Sequence, residues 1–194
     1  MRPTAKLTSK GPGAKAVLDG VKALAGDQVY VGIPERSAAR KKSSEPTNAQ
    51  LAFLHTHGVR DSSMRRIMGV KMLKGASYSE ALQMYLHSHG DPLWQIPPRP
   101  IIEPAIEANQ EAIEVELRQA AEAAMDGKKE LMQRYLNRAG LLAQNFVRAW
   151  FTDPRNGWPP NAPSTIRRKK SAQPLIDTGQ LRKSITYVLA LAKR

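Results

Sequence analysis

Four histidines come as two His-x-His pairs in an internal echo, Leu54-His55-Thr56-His57-Gly58 and Leu86-His87-Ser88-His89-Gly90. Imidazoles at i and i+2 share a face only on an extended chain, where two such pairs would complete a tetrahedral zinc site. Both pairs fall at the ends of helical patterns. There i and i+2 point apart, and a histidine followed by glycine ends a helix through the dipole and the C-cap. Helix termination is expected rather than metal ligation. Carboxylates are the second candidate: Glu103, Glu107, Glu111 and Glu114 recur at about one-turn spacing, with Glu122 beyond them. Paired carboxylates are the raw material of general acid–base catalysis, but they need burial to separate their pKa values, and nothing around this stripe supplies it. With no cysteine in the chain, thiolate nucleophiles and thiolate zinc ligands are excluded. GxxxxGK[ST], GxGxxG, HExxH and GxSxG are absent as well. The chain is expected not to be an enzyme and to use no cofactor, metal or small-molecule substrate.

Charge offers a different chemistry. The net charge of +13 divides into +5 for residues 1–50, +3 for 51–100, −2 for 101–150 and +7 for 151–194, so the basicity lies at the ends around an acidic middle. The runs Arg40-Lys41-Lys42 and Arg167-Arg168-Lys169-Lys170 suit a polyanion, an acidic protein surface or plain solvent. A helix-turn-helix is the sharpest rival reading, because residues 63–89 divide into two short helices around Gly75-Ala76 with Arg65, Arg66, Lys71 and Lys74 exposed. In that motif the second helix reads bases, yet here the charge is on the first. Met64, Met68 and Met72 fall at i, i+4 and i+8, a stripe that fits a partner surface or the domain core equally well.

The elements that must carry these residues follow from periodicity. Residues 1–13 are expected to form a flexible arm and 14–194 a single domain. A helix over Ala14–Ala25, closed by Gly26, leads into a strand at Val29–Ile33. Residues 35–47 read as a loop or hairpin tip, and Asn48 caps a helix that stops at Gly58. A helix begins after Ser62 or Ser63, and a second is announced by the capping box Ser77-x-x-Glu80. The prolines of Ile96-Pro97-Pro98-Arg99-Pro100 force an extended segment. One helix is expected over residues 102–124, with Ile102, Ile106, Ile113, Leu117, Ala120 and Ala124 on its apolar stripe. Asp126-Gly127 breaks it, and a second follows with Leu131, Tyr135, Ala139, Leu142, Phe146 and Trp150 buried; the two pack as an antiparallel pair. Residues 153–172 read as loop, Asp177 or Thr178 caps a short turn, and Ile185–Leu189 is a strand that pairs with Val29–Ile33. The fold class is therefore α+β, a small antiparallel sheet flanked by two long helices, with a helical-hairpin insertion at about 59–94 and long loops. No apolar stretch follows the basic N-terminal residues, and none approaches the roughly 20 residues of a spanning helix, so neither export by a signal peptide nor a membrane partner is expected.

Several blocks together carry a resemblance: Val31-Gly32-Ile33, Asn48-Ala49-Gln50-Leu51-Ala52 leading to His-Gly, Ile96-Pro97-Pro98-Arg99-Pro100, Pro160-Asn161-Ala162-Pro163-Ser164-Thr165-Ile166-Arg167-Arg168-Lys169, and Pro174-Leu175-Ile176-Asp177-Thr178-Gly179-Gln180-Leu181-Arg182-Lys183-Ser184-Ile185. In this order they resemble the virion-morphogenesis or neck (tail-completion) proteins of tailed double-stranded DNA phages. The resemblance covers residues 14–58 and 95–190 and departs over 59–94. It implies a structural virion protein, made in the host cytoplasm and placed between head and tail. Such a protein assembles with itself as a ring, commonly a hexamer, meets other neck, connector and tail proteins, and touches DNA without reading it. On that reading Pro98, Arg99, Trp158, Asn161, Arg167, Arg168, Lys169, Lys170, Met64, Met68 and Met72 are candidate interface residues. Glu103, Glu107, Glu111 and Glu114 face either the lumen or a neighbour's basic loop. The alternative is a free DNA-binding protein with its helix-turn-helix-like hairpin at 63–89.

Overall fold

A computed structural model describes residues 13–38, 46–89, 94–169 and 171–190. All but Gly13 of the expected arm at 1–13, residues 39–45 of the expected loop at 35–47, and Lys170 lie outside them, and the first residues of that loop, Glu35–Ala38, are helical. In chain order the elements are α1 (Ala14–Gly26), β1 (Gln28–Gly32), α2 (Glu35–Ala38), α3 (Asn48–His57), β2 (Val59–Arg60), α4 (Ser62–Leu73), α5 (Tyr78–His89), β3 (Trp94–Ile96), α6 (Ile102–Glu107), α7 (Gln110–Met125), α8 (Lys129–Trp150), α9 (Pro163–Lys169), α10 (Gln180–Ser184) and β4 (Thr186–Ala190). A 3-10 turn lies at Pro154–Asn156. The fold is α+β, with a small antiparallel sheet, several helices and long loops. The expected domain is organised as two compact units: residues 1–32, 106–146 and 186–194 form one, and 33–105 and 147–185 form the other.

The first unit is built around the strand pair foreseen from the β-branched runs. β1 and β4 are antiparallel, with Val29 opposite Leu189 and Val31 opposite Tyr187. The pair packs on a cluster of Ala120, Ala123 and Ala124 from α7 and Met132 and Leu136 from α8. The alanines let backbones approach closely: a Cβ on Gly20 of α1 would run into the carbonyl of Ala124. The helix expected over 102–124 is divided. α6 ends at Glu107, and Asn109 adopts non-helical angles (φ −130°, ψ 20°) as the N-cap of α7, a position that asparagine favours over a helix interior. Ala120 and Ala124 of the expected stripe are buried, but Leu117 is exposed and Glu116 is buried beside them. Arg138 of α8 answers that carboxylate with an ion pair of 2.8 Å. On α8 the buried line runs through Met132, Leu136, Ala139 and Ala143, while Leu131, Tyr135 and Leu142 flank it half-buried.

In the second unit, caps fall one residue from where the sequence puts them. Thr47, not Asn48, closes a capping box with Gln50 at the start of α3, and the Asp61 carboxylate, not Ser62 or Ser63, accepts from the Ser63 N–H at the start of α4. Ser77 and Glu80 form the expected box before α5. α4 and α5 close as a hairpin over Met64, Met68, Ala81 and Tyr85. That corrects the partner-surface reading of Met64 and Met68, which fill the hairpin's own core; Met72 stays exposed. A second two-stranded sheet, β2 with β3, was not foreseen. It depends on Gly58, at φ 72° and ψ 171°, a region open essentially to glycine alone. A Cβ there would sit 2.8 Å from both the Ile96 carbonyl and the Trp94 ring. The expected loop over 153–172 contains α9, begun by Pro163, whose fixed φ suits the first helical position.

Candidate functional site: a basic groove

Side chains of the second unit donate to backbone carbonyls of the proline-rich segments and of residues 172–173. Arg99 donates from Nε and Nη2 to the Pro159 carbonyl at 3.1 and 2.8 Å, and from Nη2 to the Pro160 carbonyl at 3.1 Å. Trp158 Nε1 donates to the Pro100 carbonyl at 3.0 Å, and its ring meets Phe151 edge-on at 5.8 Å. Asn161 Nδ2 donates to the carbonyls of Ala172 and Gln173 at 3.0 and 3.2 Å. Three candidate interface residues therefore have internal roles: Arg99 is buried, and Trp158 and Asn161 are half-buried clamps. Pro98 is half-buried beside them, and Arg167 and Arg168 are exposed.

These clamps frame a groove of about 740 Å³ lined by Leu51 and His55 of α3, Trp94–Pro97 and Arg99, Pro160–Pro163, the α9 residues Thr165, Arg168 and Lys169, and the segment from Leu175 and Asp177 to Leu181. One wall is strained: Ile176 N–H bonds the Pro174 carbonyl at 2.8 Å across Leu175, which sits at φ 57°. A bulky side chain at positive φ costs energy that a fold retains mainly where function or packing demands it.

The groove is rich in cations. Arg99, Arg168 and Lys169 line it, with Asp177 as the acid among them. Burial lowers the Lys169 ammonium pKa below its ordinary value; Asp177 opposes that shift, while Arg99 and Arg168 add to it. The Lys169 Nζ donates to the Gln173 carbonyl at 2.9 Å. Burial, then the charges of Arg99 and Lys169, hold the His55 imidazole below its usual range. His55 Nδ1 is buried and hydrogen-bonded to no described residue. The arrangement is suited to holding an anionic group.

Two other surfaces bear on the expected sites. Arg60 lies 5.2 Å from the Tyr78 ring centroid and 5.6 Å from that of Trp94, in a hollow of about 580 Å³ that also takes in Met68 and Met72. The α6–α7 junction forms an acidic hollow of about 660 Å³ lined by Glu107, Glu111 and Glu114; Glu103, on α6, is exposed but does not line it. On α4, Arg65, Arg66, Lys71 and Lys74 are exposed, whereas α5 shows Glu80, Gln83 and His87. His57 Nδ1 is 2.9 Å from the Phe53 carbonyl, and among the described residues no three potential ligands gather for a metal ion. Nor, among them, is any helix long and apolar enough to cross a membrane. No family model, curated protein or solved structure matches the chain.

Proposed function

We propose that the chain is a structural subunit of a tailed-phage particle, assembling with itself as a closed ring at the head-to-tail junction, where it joins connector to tail and lets DNA pass. The observation that carries this reading is the convergence of the three sequence blocks behind the resemblance. Residues 96–100, 160–169 and 174–185 are distant in sequence, yet they build one groove and are clamped by Arg99, Trp158 and Asn161. Exposed Phe53, Val70, Leu73 and Met84 add apolar surface of the kind that partners cover. The second unit, with 18 Lys and Arg against 8 Asp and Glu, holds most of the positive charge, which suits work beside DNA without base readout.

Native mass spectrometry of the purified chain tests the reading: a closed ring, six copies being the expected number, supports it, and a monomer at every concentration counts against it. The basic face of α4 favours a second reading, a free DNA-binding protein. That reading expects a monomer or dimer whose affinity for duplex DNA falls steeply with salt.

A further inference from the structure

Two surfaces of opposite sign form no ion pair among the described residues. At the α6–α7 junction Glu107, Glu111 and Glu114 are all exposed around the acidic hollow. Gln110 Nε2 reaches Glu114, but among the described residues no ion pair engages any of the three. On the other unit, α9 ends in Arg167, Arg168 and Lys169, the two arginines exposed and likewise outside any ion pair among the described residues. A hollow of about 660 Å³ has room for arginine side chains, and guanidinium groups match carboxylates in geometry as well as charge. The break after Glu107 further separates this acidic patch from a continuous helical stripe, which a smooth lumen lining would require. A closed ring needs two different, mutually complementary patches on each subunit.

We propose that the basic end of α9 in one copy seats in the acidic hollow of a second copy, Arg167 and Arg168 meeting Glu107, Glu111 and Glu114, and that this contact repeats head to tail. The inference rests on the ring reading and names the surfaces that close it. Opposed charges there set register and choice of neighbour, and like charges placed opposite one another break the contact.

The test uses two charge-reversed forms of the full chain, Glu107→Lys with Glu111→Lys, and Arg167→Glu with Arg168→Glu. Because the four side chains are exposed, circular dichroism and melting are expected to match wild type. The milder pairs Glu107→Gln with Glu111→Gln and Arg167→Gln with Arg168→Gln serve if a reversal disturbs folding. Each reversed form alone is expected to lose the ring in native mass spectrometry, with association weakened at least about tenfold. Mixed in equal amounts, the two forms should restore a ring containing both in equal numbers, since each basic surface again meets an acidic one. A reversed form that assembles like wild type, or a mixture that stays dissociated, overturns this contact and leaves the ring reading standing. A wild-type chain that never associates overturns both. An arginine reversal that abolishes duplex DNA binding while the ring persists assigns α9 to nucleic acid and overturns the contact.

Discussion

His55 is the residue whose surroundings make the sharpest solution prediction. Its imidazole is half-buried and feels the charges of Arg99 and Lys169, so folding favours the neutral form and its pKa lies below the ordinary value. A depressed pKa leaves stability intact above the unfolded value near 6.5 and removes it as pH falls below that value, because the unfolded chain takes up the proton first. Wild type is expected to lose melting temperature between pH 7 and 5 faster than His55→Gln, with both followed by calorimetry. Equal slopes would mean that His55 titrates as it does in water. The pair of histidines at the end of α3 is plain in the sequence, but this environment is not, since Arg99 and Lys169 lie far along the chain. Arg99, Trp158 and Asn161 drew attention as surface residues for a related reason. Their partners are carbonyls of Pro100, Pro159, Pro160, Ala172 and Gln173, and a backbone acceptor leaves no mark in sequence.

Among the elements, the strands at β1 and β4 were legible because β-branched and aromatic residues are concentrated there, and they pair as expected. β2 and β3 were not legible, because two or three residues show no period. The buried line on α8 keeps Ala139 and Trp150 of the expected stripe but elsewhere runs one residue from it, through Met132, Leu136, Ala143 and Val147, and Gly140 lies on that line. The Tyr187 ring of β4 lies against it so closely that any Cβ would overlap the ring. That ring is held by its hydroxyl, which donates to Asn137 Oδ1 at 3.2 Å, while the Tyr187 backbone N–H donates to Gln144 Oε1 at 3.3 Å. Alanine would gain about 1 kcal/mol of helix propensity over glycine, but overpacking against a fixed ring costs roughly 1–3 kcal/mol. Gly140→Ala is therefore expected to destabilise by about 1 kcal/mol, a drop of roughly 2–4 °C in melting temperature. A rise would show that Tyr187 can move aside. Glu116 escaped notice on the same helices' interface, since a carboxylate within an apolar stripe reads as solvent-facing until Arg138, 22 residues on, is seen beside it.

For the whole molecule, the first unit is assembled from three stretches of chain, 1–32, 106–146 and 186–194, while the second takes residues 33–105 and 147–185. The hairpin of α4 and α5, by contrast, closes over neighbours close in sequence. Local contacts form fast, and pairings that span most of a chain wait on slow loop closure. Pulse-labelled hydrogen exchange during refolding should protect the amides of α4 and α5 before those of β1 and β4; the reverse order would place the strand pair in the folding nucleus. Among the described residues, β1 pairs with β4 alone, with Gln28 opposite Ala190. During synthesis, at about 5–20 residues per second, β1 therefore leaves the ribosome many seconds before β4 exists. Val29, Tyr30 and Val31 spend that interval as an unpaired edge, the state most open to strand exchange with another nascent chain. A messenger RNA carrying several ribosomes brings such edges together, so the register between the two outer strands governs yield as well as stability.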